Sequence, residues 1–166
     1  PPNMVLKSYG PPNEECGQTL APHKTPIATG ERYVARFQFR ELLEKYCCDF
    51  IQPDAIYTGG MNELRKIAAM AEAYYCPVIP HNCNGPVCTA ASIHAAACIP
   101  NFRMLEYIPV PEREDVLVEP LVMRNGAFEL PTKPGLGVEL NKAVFEQYVF
   151  QPRDLDHFSE VREIVL

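Results

Sequence analysis

From Thr25 onward, short apolar runs alternate with longer stretches of helical periodicity, and each apolar run closes on a polar residue. Such alternation predicts βα units, because a strand returning parallel to its predecessor needs a crossover, usually a helix. The run "TPIATGER" predicts a strand ending at Glu31, followed by a helix in "RYVARFQFRELLEKY" with Val34, Phe37, Leu42 and Leu43 as its apolar positions. A second strand passes through Asp54 in "CCDFIQPDAIYTGG". The helix after it, "MNELRKIAAMAEAYY", sets Leu64, Ile67, Ala68 and Ala71 on one face and Glu63, Lys66 and Glu72 on others. "CPVIPHN" is the third strand, "GPVCTAASIHAAAC" a small-residue helix with Pro86 in its first turn, and "FRMLEYI" the fourth strand.

Glu31, Asp54, His81 and Glu106 therefore recur at strand ends, separated by 23, 27 and 25 residues, close to one βα unit per interval. In barrels of such units, catalytic groups project from the C-terminal ends of the strands. Asp54 and His81 come from consecutive strands, about 4.8 Å apart, so their side chains can meet. A carboxylate bonded to one ring nitrogen fixes the tautomer and makes the other nitrogen a better base. Glu31 is a natural oxygen ligand for Mg²⁺. Glu106 lies among apolar neighbours in "MLEYI", where it can share a hydrogen bond with a developing oxyanion or pair with nearby Arg103.

The charge balance, 21 acidic against 15 basic residues for a formal net charge of -6, contains no Lys/Arg cluster and argues against a nucleic-acid partner. No apolar run approaches the roughly 18 residues of a membrane span, and "PPNMVLKSYGPP" lacks the regions of a signal peptide. A cytoplasmic location and no membrane partner are expected. Seven cysteines, an odd number often set in apolar patterns, fit reduced thiols. A metal knuckle of His81, Cys83 and Cys88 is the alternative, although its spacing matches no zinc pattern.

The fold class expected is α/β, a partial TIM-type barrel with a C-terminal β-hairpin or capping segment. Residues 1–24 are expected to form an irregular or truncated barrel lead-in, 25–109 four βα units, and 110–166 the capping segment. Within that segment the run Val116–Met123, the Asn125-Gly126 turn and a second short run predict the hairpin, and "PTKPGLG" an irregular loop. Four units cannot close a barrel of eight, and none is counted before Thr25. A fragment with two open parallel edges is therefore expected.

The ordered motifs "PIATGER", "IQPDAIYTGGMNELRKIAAMAEAY", "PHNCNGPVCTAASIHAAAC", "LEY" and "PTKPGLGVEL" resemble the C-terminal half of the mandelate racemase/muconate lactonizing enzyme subgroup of the enolase superfamily. Within it, the likeness is to galactonate dehydratase-like acid-sugar dehydratases, from about Pro11 to about Tyr148. The resemblance implies the C-terminal part of a (β/α)7β barrel and Mg²⁺-dependent removal of the proton α to a carboxylate. It implies β-elimination of water to a 2-keto-3-deoxy acid, a small sugar acid as substrate and a homo-oligomeric full-length enzyme. Carried over, Glu31 is a metal ligand, Asp54 and His81 are the acid-base dyad, and Glu106 bonds the substrate carboxylate. The family's preceding metal carboxylate has no counterpart in "VLKSYGPPNEE", where Glu14 and Glu15 follow the Pro-Pro. That gap leaves open a non-catalytic relic, and the missing half leaves open a racemase, epimerase or cycloisomerase.

Overall fold

The computed structural model describes residues 5–6, 25–110 and 115–147. The Pro11–Glu15 stretch and the part of the capping segment beyond Gln147 lie outside the described residues. Strands β1 (Val5–Leu6), β2 (Ile27–Thr29) and β3 (Phe50–Ile51) form a parallel sheet in sequential order. Val5 pairs with Ile27, Ala28 with Phe50 and Thr29 with Ile51. Strand β1 is a rung that counting from Thr25 missed; two residues are too short to carry a period.

Beyond β3 the ladder continues as single parallel bridges, Ile51 to Val78, Asp54 to His81 and Val78 to Phe102. The predicted strands in "CPVIPHN" and "FRMLEYI" thus shrink to isolated rungs. Pro77 and Pro80 carry no N–H, so the ladder is held at the residues between and after them. Ile79 N donates to Ile51 O at 2.9 Å, His81 N to Pro53 O at 3.2 Å, Arg103 N to Val78 O at 2.9 Å and Glu106 N to Pro80 O at 3.2 Å.

Helices α1 (Ala35–Glu44), α2 (Met61–Glu72) and α3 (Pro86–Ala96) follow successive rungs. Helix α2 buries Leu64, Ile67, Ala68 and Ala71, the face its periodicity predicts. Helix α1 departs from expectation: Phe39, Leu42 and Leu43 are buried, whereas Val34 and Phe37 are 62% and 64% exposed. Phe37 and Phe39 stand about 200° apart around a helix, so one of them must face outward. Phe39 turns inward, where its ring meets Tyr33 edge-on at 5.3 Å. Phe37 stays outside, 5.6 Å from the Arg36 guanidinium.

The core joins Phe39, Leu42, Leu64 and Ile67 from the helices to Ile51 and Val78 from the ladder. Each such fully buried aliphatic side chain contributes about 1.5–3 kcal/mol. Asn101 locks the base of this core by donating to Ala68 O at 3.1 Å and to Cys76 O at 2.9 Å. In the C-terminal segment, β4 (Met123–Arg124) pairs antiparallel with β5 (Ala127–Phe128). Asn125 and Gly126 connect them with φ of 52° and 78°, the left-handed pair that a two-residue type I′ turn requires. Of the predicted run from Val116, Leu117 makes a single bridge to Leu140, and Met123 enters β4. A short helix α4 (Lys142–Gln147) follows. Among the described residues, no helix is long and apolar enough to cross a membrane.

Candidate active site at the strand ends

Glu31, Asp54, His81 and Glu106 lie at or just beyond successive rungs, and parallel strands in sequential order put such positions at one end of the sheet. Gly30 makes the turn into Glu31. Its φ is +113°, and a Cβ there would lie 2.7 Å from the Phe39 ring, so only glycine lets the chain pass the core at that point. Glu31 is half-buried in the turn that follows.

Asp54 is fully buried, and both carboxylate oxygens are engaged. Oδ1 accepts from the backbone N–H groups of Ile56 at 2.6 Å and Tyr57 at 3.4 Å. Oδ2 accepts from Asn84 Nδ2 at 2.8 Å and meets His81 Nδ1 at 2.7 Å. Burial works to raise the Asp54 carboxyl, but the bonds from His81, Ile56, Asn84 and Tyr57 outweigh it and hold the group below its usual range.

A carboxylate only accepts, so the 2.7 Å contact assigns the ring proton to Nδ1 and turns the Nε2 lone pair of neutral His81 away from Asp54. The Asp54 bond raises the His81 pKa, burial opposes it, and the charges of Glu106, Asp54 and Glu31 add to the rise, for a net upward shift. Those contributions tie all four polar residues to one electrostatic neighbourhood.

Glu106 reaches the site because its backbone N–H is anchored to Pro80 O, beside His81. Its Oε2 lies 3.9 Å from His81 Nε2 and is buried without a hydrogen-bond partner among the described residues. Its Oε1 accepts from the Cys83 thiol at 3.6 Å. Among the described residues no ion pair joins Glu106 to Arg103; its ionic partner is His81. Burial first, and then the charge of Glu106, push the Cys83 thiol up to about 11.

The His81, Cys83 and Cys88 knuckle does not form. Cys88 turns instead toward Asn84 Nδ2 at 3.6 Å and Ser92 Oγ at 4.0 Å, on the face of α3 that packs inward. The magnesium expectation meets a similar limit. Near-octahedral oxygen coordination needs several donors, yet Glu31 offers one carboxylate, and the oxygens of Asp54 are committed to four donors. The described residues do not by themselves assemble a magnesium site.

Asn84 is the residue at this site that the sequence pattern did not single out, and its Nδ2 donates to Asp54 Oδ2 at 2.8 Å. Its signal was slight, a short amide in the turn between a strand-end histidine and a helix, where such residues usually serve the backbone. Here it clamps the carboxylate that orients His81. Its neighbour Asn82 is buried and bonded to Thr89 Oγ1 at 3.0 Å, which fastens the turn to α3.

A protein-family model described as enolase C-terminal domain-like matches residues 11–144. The chain is 41% identical over 154 residues to the D-xylonate dehydratase of Haloferax volcanii, covering 90% of this chain and 37% of that protein. It is 35% identical over 133 residues to the D-gluconate dehydratase of Thermoproteus tenax, covering 78% of this chain and 27% of that protein. Among solved structures, a putative galactarate dehydratase from Agrobacterium radiobacter, bound to sodium and L-malate, superposes with a TM-score of 0.80 at 33% identity, covering 89% of this chain and 43% of that one. The chain spans less than half the length of each of these relatives.

Proposed function

Because the chain belongs to the enolase C-terminal domain-like family, we propose that it is part of an acid-sugar dehydratase whose acid-base half it carries. The observation that bears most of this reading is the 2.7 Å Asp54–His81 contact, which leaves Nε2 facing Glu106. The similarity to dehydratases named for xylonate and gluconate supports the substrate class.

In this reading His81 Nε2 takes the proton α to the substrate carboxylate. The electrons of the broken C–H bond form a C=C bond to the carboxylate carbon, and a C=O pair of the carboxylate moves onto oxygen to give an enediolate. Collapse of the enediolate restores the carboxylate and shifts the double bond to the α and β carbons as the β C–O bond breaks. The hydroxyl leaves as water with the proton returned by His81, and the resulting enol ketonises to a 2-keto-3-deoxy acid. Asp54 keeps the imidazole in the Nδ1–H tautomer and stabilises the imidazolium, a contribution of about 10²–10⁴ in rate for a positioned base. Glu106 shares a hydrogen bond with the substrate carboxylate as charge develops there. Magnesium dependence of the whole enzyme belongs to the same proposal, with Glu31 as one ligand and the others from outside the described residues.

The test is a panel of five- and six-carbon sugar acids offered to the longest polypeptide that carries this chain, with 2-keto-3-deoxy acid measured as product. Formation of that product from at least one acid, abolished by EDTA and restored by Mg²⁺, is the expected result. Inversion at the α carbon without loss of water would make the protein a racemase or epimerase instead. No reaction with any acid would favour a non-catalytic relic.

A further inference from the structure

The sequence places a thiol where the proposed dehydration has no use for one. Cys83 lies two residues beyond His81, and its Sγ sits 3.6 Å from Glu106 Oε1. Together, one ligand atom each from His81, Cys83 and Glu106 lie within 4.8 Å of one another. A tetrahedral zinc ion with bonds of about 2.0–2.3 Å holds its ligands about 3.3–3.8 Å apart. Cys83 Sγ lies 3.6 Å from Glu106 Oε1 and His81 Nε2 lies 3.9 Å from its Oε2, so each neighbour is near that spacing from one of the two carboxylate oxygens. The donor set is one imidazole nitrogen, one sulfur and one carboxylate, a mixture that suits zinc or cobalt and not magnesium.

The surroundings of the three ligands are also those of a metal centre. Histidine ligands almost always give their second ring N–H to a carboxylate or carbonyl, and Asp54 takes that role at 2.7 Å. Glu106 Oε2 is buried without a hydrogen-bond partner among the described residues, which leaves acceptor capacity for a cation. The backbone N–H of Glu106 donates to Pro80 O at 3.2 Å, which anchors the main chain of the third ligand beside His81.

We infer that His81, Cys83 and Glu106 form a second cation site, selective for zinc-like divalent ions over Mg²⁺, whose occupancy removes His81 Nε2 from service as a base. Binding forms a metal–sulfur bond and releases the thiol proton to solvent, with no change of oxidation state. A fourth position remains for water. The site itself stands on geometry; only its inhibitory consequence rests on the dehydratase reading.

The test uses cobalt(II) alone as a spectroscopic probe of the chain. Wild-type protein should develop a thiolate-to-cobalt charge-transfer band that is displaced by Zn²⁺ and unaffected by excess Mg²⁺. Cys83→Ser and His81→Gln should lose the band, and Glu106→Gln should weaken cobalt binding at least tenfold. Cys88→Ala and Cys48→Ala should retain the band. Absence of the band in wild type, or its survival in Cys83→Ser, overturns the proposal, and circular dichroism of each variant guards against reading misfolding as lost ligation. In an active dehydratase, Zn²⁺ should inhibit wild type and spare Cys83→Ser, each compared with its own zinc-free rate. Equal zinc inhibition of both forms would overturn the inhibitory role. A polypeptide that shows the cobalt band without dehydrating any sugar acid would refute the functional reading alone.

Discussion

At the residue scale, the site turns on one buried carboxylate whose four hydrogen bonds are all accounted for. Replacing Asp54 by Asn keeps the shape but removes the charge that holds the imidazolium, and turnover should fall by about 10²–10⁴. The pH dependence of stability follows from the same pair. His81 is raised above its ordinary 6.5 in the fold, so its contribution is fully present below 6.5 and is lost as pH rises through the higher folded value. Asp54 is lowered below its ordinary 3.8, so its contribution is present above 3.8 and is lost as pH falls through the lower folded value. Urea unfolding at a series of pH values should therefore show the pair's stabilisation greatest between 3.8 and 6.5, declining as pH rises above 6.5 and as it falls below 3.8. Asp54→Asn should flatten that decline; an unchanged slope would mean that the contact carries no linkage. The four polar residues were legible in sequence because the βα period fixes where strands end. Asn84 and the Cys83–Glu106 contact were not, since they depend on how one turn folds back over the strand ends.

Secondary elements show where periodicity suffices and where it fails. Helix α2 offers one uninterrupted apolar stripe, and the structure buries it. Helix α1 offers two aromatic residues on opposite sides, and nothing local decides between Phe37 and Phe39; the Tyr33 ring and the close approach at Gly30 do. Leu64→Ala should accordingly destabilise the chain by about 2–5 kcal/mol, whereas Phe37→Ala should cost no more than about 0.5 kcal/mol. Equal losses in chemical denaturation would mean that the buried face of α1 is misassigned. The rungs at Val78 and His81 looked like a full strand in sequence because the prolines of "CPVIPHN" read there as apolar residues. The missing N–H of Pro77 and Pro80 reduces them to single bridges, yet the bridge that survives at Asp54 and His81 is the one that sets these two side chains side by side.

On the scale of the whole molecule, the ladder runs from β1 to Phe102 and, among the described residues, does not close. The relatives it matches are more than twice its length. In the proposed enzyme the acid-base pair is Asp54 and His81, and the magnesium ligands other than Glu31 lie outside the described residues. Calorimetry on the chain alone should thus detect no saturable Mg²⁺ binding, and a tight magnesium isotherm would show that residues outside the described set complete the site within this chain. The barrel class was legible in sequence because alternation of strands and helices is a global pattern. The first rung was not, because two residues of β1 carry no pattern at all. Removal by His81 of the proton α to a sugar-acid carboxylate is read out by turnover of an accepted acid deuterated at that carbon. Wild-type polypeptide should show a primary isotope effect and His81→Asn a rate lower by at least about 10²; turnover of His81→Asn at the wild-type rate would rule His81 out as the base.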